Sequence, residues 1–258
     1  MRVQHFLARL ALALLALATL MALAALLGVR LGDIAYASGF SLMTAATCVG
    51  LAALAAALAW LFSAIRHNQG TGKRPGMIAL LGSLALVTPP LHTAYQGLVS
   101  PAIFDATTDP EDPPQFVALA KARQPGMNSP VYDGSQQIHF RGITNTANYM
   151  LHTYYINPTV TDGIHPRVYL LRTQPERFWH AFETVKKLGW HIVDYSEKDG
   201  RIEATDKSFW FGQTADIAIR VRQAGSEGVQ IDARAQNETG AHDFGSNIAR
   251  LKRFLKAL

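Results

Sequence analysis

Three long apolar stretches constrain this chain more than any other feature. Residues 6–29 (FLARLALALLALATLMALAALLGV) carry one charge, Arg9, near their start, and residues 41–65 and 77–99 carry none. A helix needs about 20 apolar residues to cross a hydrocarbon layer ~30 Å thick. A helix in the core of a soluble protein keeps a polar face, and the first two stretches have none. They read as transmembrane helices. The third contains Pro89-Pro90, followed by His92, Tyr95 and Gln96. Proline removes backbone donors, and a membrane helix accepts this when its surroundings satisfy the freed carbonyls. The third stretch therefore reads as a kinked span with a more polar second half. A polar pocket at His92 and a helix that stops short of full crossing are the other two readings. Small residues recur at four-residue spacing in the second span (Ala46 and Gly50, Ala52 and Ala56, Ala53 and Ala57), which fits close packing within the bundle.

Charge gives the orientation. The chain has 24 Lys and Arg against 19 Asp and Glu. Residues 1–100 hold Arg2, Arg9, Arg30, Arg66, Lys73 and Arg74 but only Asp33, and in residues 101–258 bases and acids cancel. Nucleic-acid binding needs clustered bases, which the second part lacks. No nucleic acid partner is expected. Short basic loops stay in the cytoplasm, which places the N-terminus and the 66–76 loop there. Three crossings then place everything after residue 100 on the extracytoplasmic side, the periplasm if the source is Gram-negative. Ala35-Tyr36-Ala37 resembles a signal-peptide cleavage site but lies well beyond an apolar run too long for one, so an uncleaved, multi-pass protein of the cell (inner) membrane is expected. The single cysteine, Cys48, permits no intramolecular disulfide and reads as a small buried apolar residue.

After residue 100 the character changes. Residues 101–135 include DATTDPEDPPQF and QPGMNSP, acidic and rich in proline, with FVALAKAR between them long enough for two helical turns, and read as an extended linker, free or lying against the domain that follows. Residues 136–166 have no sustained period and are expected to hold irregular structure with short strands. From 167 the pattern is regular. RVYLL reads as a strand. Thr173, with Pro175 and Glu176, starts a helix that Gly189 ends. Strands follow at 190–197 and 201–209, joined by Lys198-Asp199-Gly200, a strong hairpin signal. A second hairpin joins 216–223 to 229–236. In the last helix Phe244, Ile248, Leu251, Leu255 and Leu258 make one apolar stripe, with Asp243 as its cap and Arg250, Lys252, Arg253 and Lys256 off the stripe. The fold class is α+β: an antiparallel sheet with two helices on one face, over residues 136–258, preceded by a three-helix transmembrane region, residues 1–100.

The chemistry is less defined. The nine histidines include no pair at helical ligand spacing, and there is no phosphate loop, nucleophile elbow or dinucleotide fingerprint. No cofactor, metal or catalytic residue is assigned. What remains is a polar constellation of Glu203, Arg220, Arg234, Asp243 and Asn247. If the strands are antiparallel neighbours, the first three approach one another on the solvent face as a cross-strand ion ladder or as an anion site. Phe209-Trp210-Phe211 cannot all face one core; at least one is exposed, lies under the linker or meets the membrane interface.

Four segments, TTDPEDPPQFVAL (107–119), RIEATDKSFWFG (201–212), DIAIRVR (216–222) and DFGSNIARLKRFL (243–255), resemble in this order the DUF1499 family, whose members have no assigned function. The resemblance covers residues 104–258, and the three-span front end resembles a membrane-anchored branch of the family. It implies the domain and its boundaries, and it supplies no mechanism. The matching positions are Asp109, Pro113, Pro114, Phe116, Glu203, Ala204, Phe211, Asp216, Arg220, Arg234, Asp243, Gly245 and Asn247. The family often has paired acids where this chain has Ala215-Asp216, and a Ser/Arg-rich stretch where it has QNETGA (236–241). The reading is a membrane protein whose extracytoplasmic domain binds or assembles with an envelope protein or lipid. The alternative is a hydrolase-like enzyme using His242, Asp243 and Asn247, with Arg220 or Arg234 as anion clamp.

Overall fold

The structure, a computed structural model, describes residues 2–67, 72–99, 103–109, 111–132, 137–140, 143–146, 167–170, 173–208, 211–225 and 228–258. The chain divides into two compact units.

The first unit runs to Tyr95 and takes in Phe211 and Gly212. It contains α1 (Arg2–Leu31), α2 (Tyr36–Arg66) and most of α3 (Lys73–Val99). All three are long and apolar enough to cross a membrane. Their buried positions are mostly small: Ala8, Ala11, Ala18, Ala22 and Ala25 on α1, and Gly50, Ala53 and Ala57 on α2. Large apolar side chains such as Leu20, Phe62 and Leu81 point outward. This inversion of a soluble core suits a lipid solvent, where close backbone approach holds helices together. A Cβ added at Gly50 would stand 2.9 Å from Val87 Cγ1. Of the spaced pairs in α2, Ala46, Gly50, Ala53 and Ala57 are buried, whereas Ala52 is exposed. Cys48 is exposed as well, on the outside of α2 and not in its packed seam, contrary to expectation. α3 continues through Pro89-Pro90. Phe211 joins Tyr36 and Phe40, with ring centroids 6.1 and 6.3 Å away; Phe209 and Trp210 lie outside the described residues.

The second unit is an antiparallel sheet with helices. Its strands are β1 (Asp105–Thr107), β4 (Arg167–Leu170), β5 (His191–Ser196), β6 (Arg201–Lys207), β7 (Thr214–Ala224) and β8 (Gly228–Asn237). The order is β1-β8-β7-β6-β5. β4 shares the outer edge of β8 with β1, pairing at Gly228–Ile231 while β1 pairs at Arg234–Gln236. A separate ladder joins β2 (Gln137–Phe140) to β3 (Ile143–Thr146). The remainder of the 136–166 stretch, residues 147–166 above all, lies outside the described residues.

Alternation along the strands splits the sheet into two faces. Ile202, Ala204, Ile217, Ile219, Val221, Val229, Ile231, Ala233 and Ala235 pack against α5 (Gln174–Lys187) and α6 (Ser246–Ala257), which supply Phe178, Ala181, Val185, Ile248, Leu251, Phe254 and Leu255. Both helices thus lie on one face, as the sequence pattern requires. Thr173 caps α5 in a complete capping box with Glu176. The β5–β6 turn needs Gly200, whose φ is +62° and whose missing Cβ leaves room for the Val221 carbonyl. α6 starts later than Asp243, at Ser246, after Phe244 and Gly245 in left-handed conformation.

The other face of the sheet is also covered. Residues 103–109 and 111–132, read above as a linker, provide β1 and the short helix α4 (Ala118–Lys121), and Phe116 and Leu119 pack on Ala218 of β7. This cover segment makes the polar face of the sheet an interior.

Candidate functional site

Three members of the polar constellation, Glu203, Arg220 and Arg234, lie where the cover segment meets the sheet. Strand register separates its members. Ala218 stands opposite Glu203 on one side and opposite Arg234 on the other. The small side chain between them admits Phe116 and Leu119, so Glu203 and Arg234 are each sealed from solvent rather than joined in an exposed ladder. The expected solvent-face ladder is not formed. Glu203 and Arg234 have separate partners instead, and Arg220 belongs to a third group.

Arg234 pairs with Asp105 in a two-pronged contact, Nε to Oδ1 at 3.0 Å and Nη2 to Oδ2 at 2.6 Å. It also donates to the Pro114 and Pro130 carbonyls, and its guanidinium lies 4.6 Å from the Phe116 ring centroid. A buried ion pair offsets its desolvation only when the remaining polar groups find partners, and here each guanidinium nitrogen has an acceptor. Glu203 accepts backbone N–H groups of Val117, Ala118 and Leu119 at 2.8 to 3.1 Å and the Arg201 guanidinium. It pins the first turn of α4. Arg220 is partly exposed. It clamps Asp232 through Nε and Nη2 and reaches Asp112 and Asp109, and Arg222 binds the same three acids. Hydrogen bonds from Arg222 and Arg220 hold the Asp112 carboxyl below the usual carboxylate range.

Asp243 and Asn247 belong to a different place, the start of α6. The buried Asp243 carboxylate accepts the N–H of Gly245 at 2.8 Å and of Asn247 at 3.0 Å, so it caps α6 from two residues upstream of Gly245. Burial pushes its pKa up to about 6 against the opposing effect of those N–H groups. Asn247 donates to the Phe104 carbonyl and accepts from Arg250. Arg250, which the stripe pattern places on the wet side, is buried and bonded to Asp206 at 2.7 Å. His242 accepts the Phe244 N–H at Nδ1, stacks on the Phe244 ring at 4.4 Å, and turns Nε2 toward the Gly97 carbonyl. Burial lowers its pKa. His242 and Asp243 therefore face different partners, and nothing aligns them as an acid/base pair.

Several members of this interior were missed in the sequence. Asp105 and Asp112 sit in the acidic proline-rich stretch read as a linker, and Asp109 in the same stretch was singled out only through the family resemblance. Their signal was stoichiometric: Arg220, Arg222 and Arg234 on β7 and β8 face only one acid of those strands, Asp232, and the three acids of the stretch supply the rest. Arg123 was missed too. It bonds Asp216 at 2.8 Å and Gln236 at 2.5 Å, while its Nε and Nη1 and the Asp216 Oδ1 lack hydrogen-bond partners among the described residues. Burial first, opposed by Arg123 and reinforced by the Glu238 carboxyl, raises the Asp216 pKa to about 7. Among the described residues no group of three or more His, Cys, Asp or Glu is placed to hold a metal ion.

A family model described as protein of unknown function (DUF1499) matches residues 105–258, from the first residue of β1 to the last residue of the chain. The protein belongs to the DUF1499 family. No curated protein and no solved structure matches the chain. In this DUF1499 domain, nine of the thirteen positions that match the family pattern form two physical groups. Asp109, Pro114, Phe116, Glu203, Arg220 and Arg234 bind the cover segment to the sheet, and Asp243, Gly245 and Asn247 build the start of α6.

Proposed function

We propose that this DUF1499 protein is a multi-pass protein of the cell membrane, the inner membrane in a Gram-negative cell. In this reading its N-terminus is cytoplasmic, and its α+β domain is an extracytoplasmic binding or assembly module for an envelope protein or lipid. One observation carries the module reading. Glu203 and Arg234, the groups best suited to bind a substrate or activate water, are consumed in holding the cover segment on the sheet. Charges committed this way fix a surface, and a fixed surface is what recognition needs. The engagement of Asp243 by two backbone N–H groups points the same way, against the hydrolase reading.

Native mass spectrometry of the full chain in mild detergent tests the module. A stoichiometric lipid or protein retained through dilution supports it, and a bare chain under every mild condition tried overturns it. Topology is tested separately with alkaline phosphatase fused after Leu258. An active fusion fits the extracytoplasmic placement, and an inactive one alongside a fluorescent cytoplasmic reporter at the same position overturns it.

A further inference from the structure

The two helices on the sheet carry an uneven share of the domain's charge. α6 holds Arg250, Lys252, Arg253 and Lys256 and no acid, and α5 holds Arg177, Lys186 and Lys187 against Glu176 and Glu183. Across both helices that is seven bases against two acids, whereas side-chain charges over residues 101–258 cancel. The helix layer is therefore basic and the remainder of the domain acidic. Arg250 is buried and bonded to Asp206. The other three cations of α6 lie off its buried side, with Arg253 and Lys256 exposed and Lys252 half-buried. Asp206 also approaches Arg253, at 3.6 Å. Ala249, exposed one turn before Lys252 and Arg253, leaves the middle of this face open. Trp179, exposed on α5, is of the residue type that membrane–water interfaces favour.

The helix layer also begins beside the third apolar helix. The second unit opens at Gln96, so the last turn of α3 belongs to it. There His242 turns Nε2 to the Gly97 carbonyl at 3.4 Å, and a Cβ added at Gly97 would stand 3.1 Å from the Phe244 ring. The turn that starts α6 is thus packed against the end of a helix whose candidate span runs to Leu98. Lys252 stands only about 9 Å along α6 from Ser246 at 1.5 Å per residue. A charged surface is felt over a similar distance, about 8–10 Å, at physiological salt.

We propose that the exposed face of α6, with Lys252, Arg253 and Lys256, docks on the anionic phospholipid headgroups of the bilayer that the three apolar helices cross. This names the partner in the module reading above, on which it rests, as a lipid surface. Phosphate headgroups complement a helix that carries cations and no acid of its own. A chain already fixed in the bilayer meets those headgroups at high effective concentration, so a few cations suffice where a free protein would need a second anchor. The helices cover one face of the sheet and the cover segment the other. A domain docked through α6 therefore presents its cover segment away from the lipid.

Site-specific fluorescence quenching of the full chain in nanodiscs tests this. Cys48, exposed on α2, is first removed as Cys48→Ala. An environment-sensitive dye is then attached through Ala249→Cys on α6 or, as a reference, through Glu111→Cys in the cover segment. Quenching by a lipid with a nitroxide on its headgroup is compared in discs of phosphatidylcholine with and without phosphatidylglycerol. Phosphatidylglycerol should raise quenching at position 249 and leave position 111 unchanged, and high salt should abolish the rise. Each cation near an anionic surface shifts the ratio of docked to free states about fivefold. Lys252→Gln, Arg253→Gln and Lys256→Gln together should therefore lower that ratio roughly a hundredfold, bringing quenching at position 249 to the level at 111. Equal quenching at position 249 with and without phosphatidylglycerol would overturn the docking, and so would a triple variant that keeps the wild-type rise. If discs with that result retain an acidic protein in native mass spectrometry, the face belongs to that protein and the module reading stands without the lipid. A bare chain there removes both.

Discussion

Arg234 and Asp105, 129 residues apart in sequence, meet as a sealed bidentate pair at 3.0 and 2.6 Å beneath the Phe116 ring. This contact joins the central part of β8 to the strand that opens the DUF1499 domain. Removing one partner of a buried pair leaves the other charge unpaired, at a cost of about 3–5 kcal/mol. Arg234→Ala and Asp105→Ala should each lower the thermal midpoint of the domain in detergent by a large margin. Arg234→Met combined with Asp105→Leu should recover much of the loss, because no orphaned charge remains. A double-mutant cycle on chemical unfolding followed by circular dichroism reads the coupling, and additive single effects would refute it.

Glu203 is the pin of α4. Its carboxylate accepts three consecutive backbone N–H groups. Hydrogen bonds to a charged acceptor contribute about 1.5–3 kcal/mol each in favourable settings. Glu203→Gln keeps the shape but turns one acceptor into a donor facing N–H groups. Protection of the Val117, Ala118 and Leu119 amides should collapse while that of β7 and β8 persists. Loss across the whole domain would show instead that Glu203 supports the sheet itself.

Ala218 sets the spacing between Glu203 and Arg234, and Phe116 and Leu119 fill the room it leaves. Ala218→Leu should overpack this layer at about 1–3 kcal/mol and push the cover segment outward. The helix side of the sheet, where Ile217 and Ile219 point, should keep its packing. Limited trypsin digestion reads this through Lys121 and Arg123, which should become cleaved well before the bonds of α5.

How much of this was legible from sequence follows from the range of each interaction. The apolar spans declare themselves because a run of membrane length without a polar face has few other uses. The β5–β6 hairpin is readable from Asp199-Gly200, and the start of α5 from Thr173 and Glu176, because a turn and a capping box are completed within four residues. The contacts of the cover segment are not readable that way, even where the stretch is read as lying against the domain. Asp105, Pro114 and the α4 amides find their partners 84 to 129 residues away, and an extended, proline-rich stretch shows no period to betray a buried side. Arg250 misled for the opposite reason. Its place off the apolar stripe implied water, whereas Asp206 receives it in the interior.

Asp243 gives the α6 start a pH dependence of its own. Burial is the largest influence and raises its pKa from an ordinary 3.8 to about 6. Between those values the native state binds more protons than the unfolded chain, so unfolding free energy falls as pH rises through this window and levels off above it. Asp243→Asn cannot titrate, yet its side-chain oxygen can still accept the Gly245 N–H, so the helix cap is retained in part. The variant's stability should decline between about pH 4 and 6 with a slope shallower than that of wild type by up to one proton. Urea unfolding at several pH values measures that slope. Because Asp216 titrates over an overlapping range, the comparison is made in an Asp216→Asn background, where the remaining slope isolates Asp243. An unchanged slope there would mean that the two backbone N–H groups offset burial and keep Asp243 ionised across this window.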